Sequence, residues 1–343
     1  MKGGHAVREN LAGLYSARGS SVDKEDILIT NAAVDANNIV LSALIGPDDH
    51  VICHYPTYEQ LYQIPKSLGA EVSLWKTDAS KKWQLDIDEL KSMVKGNTKM
   101  IIINNPQNPS GAIISKGVLD SIVEVAAEKG IIIFSDEAFR PLFHGILPSD
   151  DDFPPSAINL GYQETIVTST MSKAYGLPGV RIGWIASKDR QIIDTCYKMR
   201  LYTTTTVSQL DEAVAAEALS DRCIHAILAR NIKNCLANTN AWQSFVDEHN
   251  WAAQWVRPVA GTTAFIRFHK MGKPVDDEKF CLQVEEKAGV VMIPGSKCFG
   301  DQTDFKGYVR VGLGIEPEKV KAGLAALAKF IEDEYENVPT TSK

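Results

Sequence analysis

No Cys-x-x-Cys pair occurs anywhere in the 343 residues. The six cysteines (Cys53, Cys196, Cys223, Cys235, Cys281 and Cys298) are scattered, which argues against zinc ribbons and thioredoxin-like redox motifs. No metal site is expected, and reduced thiols of a cytoplasmic chain are the expectation. Basic charge is also short: 36 Lys and Arg stand against 43 Asp and Glu, a net −7. A uniformly basic nucleic-acid binder is therefore disfavoured. No apolar run approaches the roughly 20 residues of a membrane helix. The opening MKGGHAVREN has no apolar stretch behind its lysine, so it does not read as a signal peptide. No internal repeat or low-complexity segment stands out. The hydrophobic share of 44% and charged share of 23% are ordinary for a globular protein and exclude bulk disorder. At this length the composition predicts a soluble protein of two domains.

Short β-branched runs alternate with longer amphipathic ones. Strands are expected at 51–55, 71–75, 100–104, 131–136, 165–170 and 181–186, and helices at 33–44, 57–68, 87–94 and 116–129. The runs MIIIN and GIIIFSD are apolar throughout, as suits central parallel strands covered on both faces. This alternation predicts an α/β fold with a mostly parallel central sheet flanked by helices. After Ala186 the texture changes. A largely helical stretch over 191–250 precedes strands at 263–268, 290–293 and 308–313 and a helix at 318–335, which reads as a smaller α+β domain. The tail ENVPTTSK is polar and expected to fray. The cluster Asp150-Asp151-Asp152 reads as a solvated loop.

Four segments carry compatible chemistry. In Thr168-Ser169-Thr170-Met171-Ser172-Lys173-Ala174-Tyr175-Gly176 a lysine sits just past a strand, eight residues before Arg181. Glycines allow close approach of a ligand, and Thr170, Ser172 and Arg181 are suited to an anion. A Schiff-base lysine beside a phosphorylated aldehyde needs these surroundings. Asp136 ends the buried strand GIIIFSD, where open α/β sheets place their ligands. A carboxylate there needs a cationic partner, and the protonated pyridine nitrogen of pyridoxal phosphate is one. The segment Asn104-Asn105-Pro106-Gln107-Asn108-Pro109-Ser110-Gly111 is a turn by composition, and Asn108 is placed to donate to a ring oxygen. In Ile29-Thr30-Asn31-Ala32-Ala33 a strand gives way to a helix start, whose free N–H groups bind phosphate. Tyr58, at the next strand-to-helix turn, is suited to stacking on a planar ring. Each segment alone also has an ordinary structural reading: a surface lysine, a capping aspartate, a turn, a half-buried tyrosine.

Together, in this order, they resemble the class I/II aminotransferases, the fold-type-I pyridoxal-phosphate enzymes, from Gly4 to about Ile331. The resemblance implies a large cofactor domain over 20–215. It implies a small domain from 1–19 and 216–336, and leaves 337–343 as tail. It implies pyridoxal 5′-phosphate as cofactor, amino acids and 2-oxo acids as substrates, and a homodimer with no nucleic-acid or membrane partner. Lys173 would hold the cofactor covalently and then move the α-proton. Asp136 would pair with the ring nitrogen, Asn108 would bond the ring oxygen and Tyr58 would stack. The backbone of Ala32 and Ala33, with Thr170, Ser172 and Arg181, would hold the phosphate. Arg310, in Tyr308-Val309-Arg310-Val311-Gly312, would clamp the substrate carboxylate, beside Asn108.

Three departures from the family pattern stand out. Ala32 occupies a position where the family often has Gly; its methyl is tolerable if φ is negative. Phe139, in Asp136-Glu137-Ala138-Phe139, stands in place of a tyrosine that gives the ring oxygen a second donor. Gly4–Ala12 matches a region that in relatives follows a leading segment, with a substrate-covering strip and a tyrosine reaching the partner's phosphate; that segment is expected to be missing. An aminotransferase is thus the leading expectation. A lyase or cyclase acting at the β- or γ-carbon on the same cofactor, in specialised metabolism, is the alternative. An inactive or regulatory paralogue is the third reading. Arg200 reads as a surface residue, Arg140 and His144 as loop packing close to the site, and His54 as structural. Cys53 and Cys298 lack an activating histidine, and Glu137 is expected to point away from Asp136's side.

Overall fold

The computed structural model describes residues 2–300 and 304–341; Met1 and the last two residues of the expected tail lie outside them. The chain runs α1 (His5–Tyr15), β1 (Ile27–Thr30), α2 (Ala32–Leu44), β2 (His50–Tyr55), α3 (Gln60–Ser67), β3 (Glu71–Lys76), α4 (Ile87–Met93) and β4 (Thr98–Asn104). Next come α5 (Lys116–Lys129), β5 (Ile132–Asp136), β6 (Thr165–Thr170), β7 (Gly183–Ala186), α6 (Arg190–Leu201), α7 (Gln209–Ala218) and α8 (Ile224–Glu248). The strands form one sheet in the order β1-β7-β6-β5-β4-β2-β3. Its five strands from β6 to β3 are mutually parallel, and β7 runs antiparallel to both neighbours.

The apolar strands sit in the middle, as their composition demands. Met100 and Ile102 of β4 enter one core cluster, and Ile101 and Ile103 enter another on the opposite face. Phe134 and Ile133 of β5 divide in the same way. Each such residue removes apolar surface from water worth roughly 1.5–3 kcal/mol, so neither face tolerates a polar alternation. Gly130, with φ +62, closes α5 as the sequence suggests.

The remainder forms a second sheet from β8 (Ala253–Trp255), β9 (Thr263–Lys270), β10 (Lys273–Pro274), β11 (Ile293–Pro294) and β12 (Tyr308–Gly312). Its strands are antiparallel and pack with α9 (Asp277–Ala288), the short α10 (Gly295–Cys298) and α11 (Pro317–Glu334).

Several expectations change. The largely helical 191–250 stretch resolves into three helices, α6, α7 and α8. Arg181 precedes its strand, in a left-handed conformation, instead of starting it. Of the strand expected over 290–293 only Ile293 pairs, together with Pro294. α1 packs against α7 and the β1 side of the large sheet. Val7, Leu11 and Tyr15 share a core with Ile27, Val167 and Trp184, and Tyr15 accepts the indole N–H of Trp184 at 2.9 Å. The tail does not fray through Thr341. Val338 is buried, Asp276 N–H donates to Pro339 and Thr341 N–H donates to Pro274. Among the described residues no helix is long and apolar enough to cross a membrane.

Candidate active site

The carboxyl ends of β4, β5 and β6 are level: Asn104 pairs with Asp136, and Asp136 with Thr168. Open α/β sheets leave a crevice at this edge. All eleven site residues singled out from the sequence line one cavity there, of about 370 Å³. β12 of the second sheet contributes Arg310 and β9 contributes Thr263, so the cavity is walled by both sheets.

One end is built from backbone. No side chain caps the start of α2, which leaves its first N–H groups for an anion. Ala32 has φ +66, so the condition under which its methyl was harmless is not met. This close approach depends on Gly183, where a Cβ would lie 2.4 Å from the carbonyl carbon of Ala32. Thr170 and Ser172 hydroxyls sit 3.0 Å apart, and Arg181 donates to Pro178 at 3.1 Å. Left-handed backbone costs an L-residue on the order of 1–2 kcal/mol, partly offset by the greater unfolded-state freedom of glycine. Ala32→Gly is therefore expected to stabilise the apoprotein by about 0.5–1 kcal/mol. Chemical denaturation measures this, and an unchanged or lower midpoint would contradict it.

The centre holds Asp136, which is buried. Its carboxylate accepts from Ala138 N–H and from Asn37 Nδ2, each at 3.0 Å. Burial raises its pKa, opposed by these two donors and by Lys173. Lys173 stands in the turn after β6, and that turn is closed by Met171 N–H to Ile182 and Leu177 N–H to Met171. Its pKa is lowered, chiefly by desolvation and by Arg310, with Asp136 acting the other way and Arg181 reinforcing the drop. At the far end Arg310 donates to Asn108 Oδ1 at 3.2 Å and its guanidinium lies 5.2 Å from the Phe299 ring. Asn108 is itself pinned through its N–H to Asn104 Oδ1 at 2.7 Å. Tyr58 is exposed at the rim, and Phe139 is buried against Gly261. The cavity thus carries three cations, Lys173, Arg181 and Arg310, against one carboxylate, in a chain of net charge −7. It is suited to a ligand with two anionic groups.

Neighbouring residues fall outside it. Glu137 points away: its carboxylate takes Ser156 Oγ at 2.7 Å, Ala157 N–H at 2.8 Å and Arg140 Nε at 3.3 Å. Arg140 also lies over Phe143 and Phe153, so it packs a loop. His144 is buried, with its backbone N–H on Val259. His54 is buried beside Gln107, and burial pushes its pKa down to about 3. Arg200, read as a surface residue, is 1% exposed and donates to the Ile29 carbonyl beneath β1. Burial raises the Cys53 and Cys298 thiols, which disfavours their reactive form. Three polar contributors escaped the sequence reading: Asn37, Asn104 and Thr263. An asparagine in the second turn of α2, amid a largely apolar helix, was the available signal for Asn37.

Residues 1–327 match the family model for aminotransferase class I and II. The chain belongs to this family. A PLP-dependent aminotransferase from Streptococcus suis 89-1591 superposes with a TM-score of 0.86 at 36% identity, covering 96% of this chain and 82% of that one. The capreomycidine synthase of Streptomyces vinaceus is 27% identical over 322 residues, 94% of this chain and 78% of that protein. A PLP-dependent cyclase superposes with a TM-score of 0.84 at 27% identity, covering 97% and 83%.

Pyridoxal 5′-phosphate is the cofactor of this aminotransferase family, and the residues present fit it. The uncapped start of α2 beside Arg181 suits a phosphate, the buried Asp136 suits a ring cation, and an accessible lysine lines the same cavity.

Proposed function

We propose that this aminotransferase-family chain moves an amino group between an amino acid and a 2-oxo acid. The observation that carries the reading is the convergence of Lys173, Asp136, Arg181 and Arg310 on one cavity. Bound pyridoxal phosphate supplies an aldehyde that condenses with amines and a ring that withdraws electrons from the α-carbon. The backbone at Ala32 and Ala33, with Thr170, Ser172 and Arg181, holds the phosphate. Asp136 keeps the ring nitrogen protonated, Asn108 donates to the ring oxygen and Tyr58 covers the ring face. Arg310 takes the substrate carboxylate, which orients the α-hydrogen toward Lys173. As a neutral amine beside the substrate α-carbon, Lys173 would take up that proton and hold it for return.

A lyase or cyclase acting at the β- or γ-carbon is the second reading. It is favoured by Phe139, which withholds the ring-oxygen donor, and by the likeness to two enzymes named a synthase and a cyclase. Holoprotein given a panel of amino acids without any 2-oxo acid separates the two. Transfer releases one equivalent of 2-oxo acid per site and stops. Elimination or cyclisation turns over repeatedly. A colourless protein that takes up no pyridoxal phosphate would sink both.

In Phe139→Tyr a hydroxyl regained beside the ring oxygen stabilises its anionic form. The absorbance transition of the holoprotein is expected at lower pH in the variant than in the parent. Superimposable titrations would count against this.

The homodimer belongs to the same proposal. Val34 and Tyr58 are exposed apolar residues at the cavity, and Leu201 and Tyr202 are exposed at the end of α6, which packs on α2. Thr204 ties that end to Asp35 at 3.2 Å. A second copy covering these side chains would close the mouth, and sedimentation at twice the chain mass tests this.

A further inference from the structure

Asn37 is 1% exposed, lines the cavity, and has no part in the phosphate, ring-oxygen or carboxylate contacts proposed above. Its side chain nevertheless meets three elements. Oδ1 accepts Thr168 Oγ1 at 2.6 Å, and Nδ2 donates to Asp136 Oδ2 at 3.0 Å and to Gln60 Oε1 at 3.3 Å. The direction of the amide is dictated by its neighbours. An ionised carboxylate only accepts, so nitrogen must face Asp136. Gln60 spends its own Nε2 on the Val34 carbonyl at 2.7 Å, which turns its oxygen toward Asn37. Thr168 then has Asn37 Oδ1 as acceptor.

One buried amide on α2, the helix whose start faces the phosphate end, thus ties together β5, β6 and α3. β5 ends in Asp136, β6 carries Thr170, and the turn leading into α3 carries Tyr58. Asp136 has one oxygen held by Ala138 N–H and the other by Asn37. These two bonds fix the plane of the carboxylate and leave its remaining lone pairs for the cavity.

We propose that Asn37 is a positioning residue: it aims the Asp136 carboxylate at the ring nitrogen of the cofactor, and the Thr168 hydroxyl, donating to Oδ1, holds in place the amide that does so. The two donors also favour the charged carboxylate against the desolvation that opposes it. Without them the carboxylate is free to turn or to take up a proton, and its pairing with a ring cation weakens.

The inference rests on the pairing of Asp136 with the ring nitrogen, so Asp136→Ala is the first control. Pyridoxal phosphate is titrated into the apoprotein by fluorescence, and the visible absorption of the bound form is recorded. Asn37→Leu is expected to loosen the cofactor about ten-fold, the scale of a hydrogen bond to a charged group, and to shift the absorption band. Thr168→Val, nearly isosteric, is expected to loosen it at least about three-fold, with Thr168→Ser back within two-fold of the parent. Unfolding midpoints of the apoproteins show whether each variant folds; should Asn37→Leu fail, the Thr168 pair decides. Unchanged affinity and absorption in Asn37→Leu and Thr168→Val would overturn the proposal. So would equal losses in Thr168→Val and Thr168→Ser, which trace to packing. If Asp136→Ala binds as the parent does, the reading of Asp136 itself falls. If it loosens the cofactor while Asn37→Leu and Thr168→Val do not, only the inference falls.

Discussion

Lys173→Ala is expected to abolish borohydride-stable attachment of pyridoxal phosphate and to lower turnover by about 10⁴-fold, the upper range for removal of a positioned acid–base group. The reason is local. Lys173 is the one lysine among the described residues lining the cavity, and Arg310 and Arg181 both act on it there. Desolvation and these two cations disfavour the ammonium, so its pKa falls below that of an ordinary lysine, against the pull of Asp136. A lowered pKa puts more neutral amine at a given pH near neutrality, and only the neutral amine attacks a carbonyl or accepts a proton. The phosphate contacts do not involve Lys173. The variant should therefore still bind the cofactor, now removable by gel filtration after borohydride treatment. Peptide mapping of the reduced parent should place the label on Lys173. A label that persists in Lys173→Ala would assign the role to another lysine and undo the proposed chemistry.

What could be read from the residues and what could not divides along physical lines. MIIIN and GIIIFSD announced buried parallel strands because apolarity on both faces has few other causes. Residues whose chemistry is local, such as a lysine in a glycine-rich turn or an aspartate at a strand end, were recognisable for the same reason: their neighbours in sequence form much of their surroundings. Asn37 and Arg200 were not. Both sit on helices, and key groups that satisfy them come from strands: Thr168 and Asp136 for Asn37, the Ile29 carbonyl for Arg200. A polar residue inside a helix pattern defaults to the solvent face unless such partners are known. The apolar face of α1 alone could not say what it covers; its partners, Trp184 of β7 and residues of α7 and α8, lie far away in sequence. Backbone strain at Ala32 was equally hidden, since φ +66 follows from the fit against Gly183, about 150 residues later. The tail looked frayed because Val338 is its one apolar residue, yet burial of that side chain and two backbone bonds pin it.

Arg310→Ala is expected to raise the KM for amino acids by about 10²–10³-fold, the cost of leaving a desolvated charge without its partner, while the affinity for pyridoxal phosphate stays within about two-fold. Arg310 is mostly enclosed, yet among the described residues its guanidinium has the neutral Asn108 amide as its one hydrogen-bond partner and is backed by the Phe299 ring. No carboxylate of the chain lies within ion-pair distance of it among the described residues, and burial lowers its pKa. A cation held this way has donor capacity left over, and a planar carboxylate satisfies two of its N–H groups at once. Arg310→Lys separates charge from geometry. Lysine keeps the charge but offers a single point of contact and cannot repeat the stack on Phe299, so it should recover only part of the loss. Full recovery by lysine would mean that the cavity's field, not a bidentate clamp, holds the carboxylate. An amine lacking the carboxylate should bind parent and Arg310→Ala alike, because the residue then has nothing to recognise. If Arg310→Ala instead lowers kcat and leaves KM unchanged, Arg310 acts on the reacting atoms through Lys173, whose pKa it depresses, and the substrate carboxylate must be bound elsewhere.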